Sequence, residues 1–319
     1  MNKKITIIIA MTLLIMSCGD KKDRAEGNSK EGTTLSGTIK VDGSSTVFPV
    51  TEAVAEEFRT VQPKVKVTIG VSGTGGGFKK FSRGETNISN ASRPIKDKEK
   101  AACAENNINY LELEVAYDGL AVLVNPKNDW VDSFTVEELK KIWEPAAQGK
   151  IMKWNQIRPE WPNEEIHLFG PGVASGTYDY FTEAIVGKSG SSRGDFTASE
   201  DDHVLVQGIA GDKYSLGFFG LAYYTENKDK LTLIGVHNGE KVVKPTLETV
   251  SNGTYSPLSR PLFIYVNSTS IKQPEVIEFV NFYIENAGEL SKDVGYIPLP
   301  TDNYAKQKEN FKTFVESNK

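Results

Sequence analysis

Two cysteines and three histidines are all that the 319 residues carry. Beyond Cys18 the body holds Cys103 alone, so an internal disulfide is excluded. Cys103 follows Ala101-Ala102 in a helical pattern and reads as a small buried residue. His167, His203 and His237 stand far apart and match no metal spacing such as His-Glu-x-x-His, so neither a metal site nor a cofactor is expected. Positive charge is not in excess either: 37 Lys and Arg face 42 Asp and Glu, a net charge of −5. A nucleic-acid partner usually needs a basic face, so none is expected. The apolar run Ile5 to Met16 is too short to span a bilayer.

Enzyme signatures are missing in the same way. Gly187-Lys188-Ser189 ends like a phosphate loop, but its first glycine would have to be Thr182. Gly73-Thr74-Gly75-Gly76-Gly77-Phe78 lacks the last glycine of a dinucleotide loop, and Gly70-Val71-Ser72-Gly73-Thr74 lacks that of a nucleophile elbow. No histidine stands where it would activate a serine. A binding protein is therefore expected rather than an enzyme.

The chain does have small hydroxyl and glycine residues placed between strand-like and helix-like runs. They occur four times, at Asp42-Gly43-Ser44-Ser45-Thr46, Ser72-Gly73-Thr74-Gly75-Gly76-Gly77, Asn90-Ala91-Ser92-Arg93-Pro94 and Ala174-Ser175-Gly176-Thr177. A helix start is an anion site in waiting, because its first N–H groups lack partners and its dipole favours negative charge. Hydroxyls add donors, and glycine lets backbone come close. A small oxyanion is the ligand class these loops fit. Each Ser or Thr alone would read as an ordinary N-cap.

Ile39 and Val41 precede the first loop, and Val50, Val54, Phe58 and Val61 follow it on one helix face. Val65, Val67, Ile69 and Val71 alternate as a strand before the second loop. Strand, turn and helix repeat along the chain, which predicts an α/β fold with parallel strands. Leu120–Val124 and Leu262–Val266 read as buried strands. They bracket a middle segment, so two lobes with two crossovers are expected: 35–123 plus 257–319, and 124–256. Lys79-Lys80 reads as a solvated helix face, and Tyr178 and Tyr180 as packing residues.

The N-terminus reads as targeting sequence. Lys3, Lys4 and the apolar run form a signal peptide, 1–17. Ile15-Met16-Ser17-Cys18 resembles the bacterial lipobox, in which the cysteine takes lipid. Residues 18–35 then form a lipid anchor and flexible tether. The expected location is the cell envelope, outside the cytoplasm, on a membrane.

In the order Asp42–Pro49, Ser72–Phe78, Ile88–Ile95 and Ser175–Phe181, the motifs resemble the phosphate-binding proteins of bacterial high-affinity phosphate importers. The likeness extends to Ala116–Leu120 and Ser215–Phe218. It implies a two-lobed type II periplasmic-binding fold, each lobe a mixed, mostly parallel sheet flanked by helices. It also implies a monomer that closes on inorganic phosphate and hands it to a membrane ABC permease. By position it implies Ser45, Thr46 and the Val47 N–H, then Ser72 with Gly73 and Thr74, and Ser175, Gly176 and Thr177 from the other lobe. Two positions depart from the best-known pattern. Pro171 stands where that pattern has an arginine, and Arg93 where it has an aspartate after Ala-Ser. Ser92 and Arg93 are therefore assigned to the ligand, with Arg93 as its only guanidinium and Arg193 or Arg260 next in line. Asp118 is either the acceptor for the phosphate proton or a structural partner of Arg93. Other ligands or roles left open are sulfate or molybdate, and a phosphohydrolase or phosphate-sensing adhesion protein on the same fold.

Overall fold

The computed structural model describes residues 35–318. The signal peptide, Cys18 and nearly all of the tether lie outside the described residues. Among the described residues no helix is long and apolar enough to cross a membrane.

The chain opens with β1 (Gly37–Gly43), α1 (Phe48–Val61), β2 (Val65–Gly70), α2 (Gly73–Phe81), β3 (Ile88–Ala91), α3 (Asp97–Glu105) and a long β4 (Tyr110–Val124). The middle contributes β5 (Ser133–Phe134), α4 (Val136–Trp143), β6 (His167–Pro171), α5 (Gly176–Phe181), β7 (Thr197–Ser199) and α6 (Asp202–Gly211). It continues through β8 (Ser215–Gly220), α7 (Leu221–Glu226), β9 (Thr232–His237), β10 (Val242–Val243) and α8 (Leu247–Ser251). The chain then returns through β11 (Ser259–Asn267), α9 (Pro274–Asp293) and α10 (Thr301–Ser317).

The strand order is β2-β1-β3-β11-β4-β8-β6-β7. The pairs β1–β2, β1–β3, β6–β8 and β6–β7 are parallel, as strand–helix–strand repeats require. β11 and β4 run antiparallel to each other and to their outer neighbours β3 and β8, so the sheet is mixed rather than dominated by parallel pairs. The reason is that these two strands carry the chain out of the first half and back into it.

β4 changes partner within its length. Tyr110–Gly119 pair with β11, and Leu120–Val124 pair with β8. The switch falls between Gly119 and Leu120, ahead of the expected boundary at 123/124. The return crossing lies beside it, where the Leu120 N–H donates to the Leu258 carbonyl at 2.9 Å. Tyr117 and Ile297 add a mutual backbone pair at 2.7 and 2.9 Å.

Two large apolar cores sit on either side of this switch. One joins Val50, Val54 and Phe58 of α1 to Phe279 and Tyr283 of α9. Val61, read with that face, is instead 56% exposed, because the helix ends there. The second core gathers Trp143, Trp154, Phe181 and Phe218, with Trp143 edge-on to Phe218 at 5.0 Å. A smaller cluster holds Phe78, Phe81 and Tyr265, together with the buried Cys103 of α3.

Candidate functional site

The tip of β1 delivers the first loop. Gly43 has a positive φ of 146° and lies against the Asn90 carbonyl, where a Cβ would be only 2.1 Å away. The Ser44 N–H donates to that same carbonyl at 3.0 Å, which ties the β1 and β3 loops together. Ser44 then forms a hydroxyl turn, its Oγ accepting from the Thr46 N–H at 3.2 Å. Val47 is the buried N-cap residue of α1.

The second loop makes Ser72 the N-cap of α2. Its hydroxyl is committed to the Asp42 carboxylate, which also pairs with Lys80 at 2.5 Å. Burial pushes Asp42 up, but the hydrogen bonds from Lys80 and Ser72 and the Lys80 charge outweigh it and hold the carboxyl below its ordinary value. Lys80 is thus an ion-pair partner rather than part of a free solvated face. The glycine run has a packing cause as well. A Cβ on Gly77 would lie 2.6 Å from the Gly43 Cα and 3.0 Å from the Asp42 carbonyl oxygen, so α2 seats directly on β1. In the third loop the Thr74 and Ser92 hydroxyls meet at 3.2 Å, and the Ser92 N–H also donates to Thr74 Oγ1.

These loops enclose a cavity of about 610 Å³. Ser44, Ser45 and Thr46 line it from the first loop, Gly73, Thr74 and Gly75 from the second, and Ser92, Arg93 and Lys96 from the third. The opposite wall is Asp179, Tyr180 and Glu183 of the α5 helix and the turn that follows it. The expected Ser175, Gly176 and Thr177 do not line the cavity. They form the first turn of α5, where the Thr177 N–H is satisfied by Ser175 Oγ at 3.2 Å. That turn abuts the first loop, since a Cβ on Gly176 would lie 3.1 Å from the Thr46 Cα.

Arg260, at the start of β11, is a second guanidinium in this cavity. Arg93 is therefore not alone there. Arg260 Nη2 donates to Thr46 Oγ1 at 2.8 Å, and its guanidinium lies 3.5 Å over the Tyr180 ring. Its Nη1 is 3.8 Å from Glu183. Asp118 stands behind it, only 2% exposed, with Oδ2 accepting from Nε and Nη2 at 3.3 Å each. The partner of Asp118 is thus Arg260 and not Arg93, because the antiparallel register sets residues 118 and 260 opposite each other. Burial pushes the Asp118 carboxyl above its ordinary value, against the pull of the Arg260 charge. Arg193 has no place at the site. It is 2% exposed and bound to Asp195 and to the carbonyls of Ile142 and Ile151.

A model of the PBP superfamily domain matches residues 28–287. The protein SphX of Synechocystis is 53% identical over 268 residues, which is 84% of this chain and 80% of that one. The phosphate-binding protein PstS of Staphylococcus saprophyticus is 40% identical over 306 residues, 95% of this chain and 91% of that one. The chain belongs to the phosphate-binding proteins of the PBP superfamily. Among solved structures, a possible phosphate binding protein from Planctomyces limnophilus superposes with a TM-score of 0.84. It shares 47% identity, over 88% of this chain and 99% of that one.

Membership in this superfamily makes the architecture the two-lobed binding-protein fold, with the two cores as its lobes and β4 and β11 running between them. Sequence reasoning named Arg260 only as a fallback and read Tyr180 as packing. The one local signal was a lone arginine before Pro261 at the mouth of the apolar run Leu262–Val266. Glu99, which binds Arg93, was missed altogether.

Proposed function

We propose that this protein binds inorganic phosphate in the cavity between its lobes and delivers it to a membrane ABC permease. One observation carries this reading. Hydroxyls from three loops and two guanidiniums, Arg93 from the loop after β3 and Arg260 from β11, converge on a single polar cavity. Serine and threonine hydroxyls donate in any direction, and arginine's planar fork fits two oxygens of an oxyanion. The proposed ligand set is Ser45, Thr46, the Val47 N–H, Thr74, Ser92, Arg93 and Arg260 from one lobe. Ser175, Gly176 and Thr177 stand outside the cavity lining, and the reading has them reach phosphate from the first turn of α5, beside Thr46, as the lobes close on it; Gly73 and Ser72 shape the second loop. Asp118 serves the site through Arg260. The lobes are the expected 35–123 plus 257–319 and 124–256, with the first crossing moved back to 119/120 where β4 changes partner, and the crossings act as the hinge.

The protein is read as a monomeric, extracytoplasmic binding protein held to a membrane by lipid on Cys18. It is read as a carrier and not an enzyme, a reading supported by its likeness to the phosphate-binding protein PstS.

Calorimetric titration with phosphate, sulfate and molybdate at two pH values tests the reading. Phosphate is expected to bind one to one and most tightly. Each lost hydrogen bond to a charged ligand costs about 1.5–3 kcal/mol. Ser45→Ala and Thr177→Val are therefore each expected to weaken phosphate binding by about tenfold or more. Unchanged affinity in both variants, or preference for another oxyanion, refutes it.

A further inference from the structure

We infer that Glu99 is the positioning residue that aims Arg93 into the cavity, turning one particular edge of the guanidinium toward the ligand. The inference rests on the phosphate reading of the site. Arginine has five N–H donors. Three of those on Arg93 are already assigned. Nη1 donates to Glu99 Oε2 at 2.8 Å and to the Pro94 carbonyl at 3.1 Å. Nη2 donates once, to Glu99 Oε1 at 2.7 Å. Glu99 thus grips the fork end-on with both oxygens, the geometry that fixes a guanidinium in plane and direction. The donors left over are the Nε–H and the second Nη2 N–H, which point the same way as a side-on pair. That pair can reach two oxygens of one tetrahedral anion.

Three further features hold this arrangement. The Phe78 ring lies 5.6 Å from the guanidinium carbon. Nη2 faces the cavity-lining Gly75, where even an added Cβ would stay 3.9 Å away. Glu99 is 8% exposed, and its Oε2 also accepts from the Lys96 N–H at 2.8 Å, closing the start of α3. Glu99 does not line the cavity and so acts only through Arg93. Burial pushes its carboxyl up, but the Arg93 and Lys96 hydrogen bonds outweigh that and keep it ionised to lower pH than usual. Arg260 is gripped differently. Asp118 takes its Nε and Nη2 side, which leaves the Nη1 end free of that carboxylate. The two guanidiniums therefore present different edges to one ligand.

The test is a double-mutant cycle of Glu99→Gln and Arg93→Ala, read by calorimetric titration with inorganic phosphate and by Tm. Glutamine can still accept from the Lys96 N–H, so the helix start survives. Glu99→Gln is expected to weaken phosphate binding by about tenfold in the wild-type background. In the Arg93→Ala background it should weaken binding by less than about twofold, because the two residues act as one unit. A second readout needs no ligand: in nitrogen NMR the Arg93 side chain is expected to show hindered rotation in the wild type and free rotation in Glu99→Gln. Equal affinity in Glu99→Gln and wild type overturns the inference, as does the same loss in both backgrounds. If the wild type fails to bind phosphate yet shows the hindered Arg93 signal, the functional reading falls and the clamp stands.

Discussion

Replacing Arg260 with alanine strands a carboxylate. Asp118 is 2% exposed, and Arg260 is the only cation that bonds it among the described residues. Removing one partner of a buried ion pair costs about 3–5 kcal/mol, because the remaining charge loses both water and partner. The 13% exposure of the Arg260 side chain and its position on the cavity let water into the gap, so the lower end, about 3 kcal/mol, is expected. A further part does not depend on the Asp118 charge. The cation over Tyr180 at 3.5 Å and the bond to Thr46 at 2.8 Å are lost as well, together about 1–2 kcal/mol.

The two parts separate by pH. Burial already lifts the folded-state Asp118 carboxyl above its ordinary 3.8, and Arg260 opposes that lift. Without Arg260 the folded-state value rises further, while the unfolded value stays where it was. Below the unfolded value both states are protonated and the stranded charge costs nothing. Stability is lost as pH rises through the folded value. The gap between wild type and Arg260→Ala therefore opens as pH climbs from the wild-type Asp118 value toward the variant's higher one. Urea unfolding at about pH 4 and about pH 7.5 should show a small gap at the first and the full gap at the second. Adding Asp118→Asn to Arg260→Ala should return most of the neutral-pH loss. A gap of equal size at both pH values, with no recovery from Asp118→Asn, refutes the argument.

Two other predictions rest on separate features. Gly77→Ala forces a Cβ to within 2.6 Å of the Gly43 Cα, so α2 must lift from β1; thermal unfolding should show a loss of about 1–3 kcal/mol, and an unchanged Tm refutes the packing argument. Wild-type cells should incorporate labelled fatty acid into the protein and Cys18→Ser cells should not; incorporation that survives the substitution refutes the lipobox reading.

Local pattern made much of the fold legible. Val50, Val54 and Phe58 recur at the spacing of one helix face, and all three are fully buried. Leu120–Val124 and Leu262–Val266 are uniformly apolar because both are covered on two faces, and both are central strands. The loops at Ser44, Thr74 and Ser92 were legible because a strand-to-helix turn with hydroxyls is a local signal. The meaning of the glycine run was not. Its closest approach is to Gly43 and Asp42 of a neighbouring strand, and sequence offers no sign of which backbone a glycine will meet.

Charged groups were hardest to place, for a reason that Arg260 makes plain. Asp118 and Arg260 are 142 positions apart, and they pair because β4 and β11 run antiparallel in a register that sets one opposite the other. A bulge between Leu262 and Phe263 shifts that register partway along. Counting back from the apolar run would therefore have misplaced the partner by one residue, and one residue reverses the face. Arg93 and Glu99 are only six positions apart, yet they span a proline and a helix start, so neither strand nor helix spacing connects them. Hydroxyl loops declare themselves through local chain geometry. Guanidiniums are aimed by carboxylates set behind them through tertiary register, so the loops of this site could be read from sequence and the aim of its arginines could not.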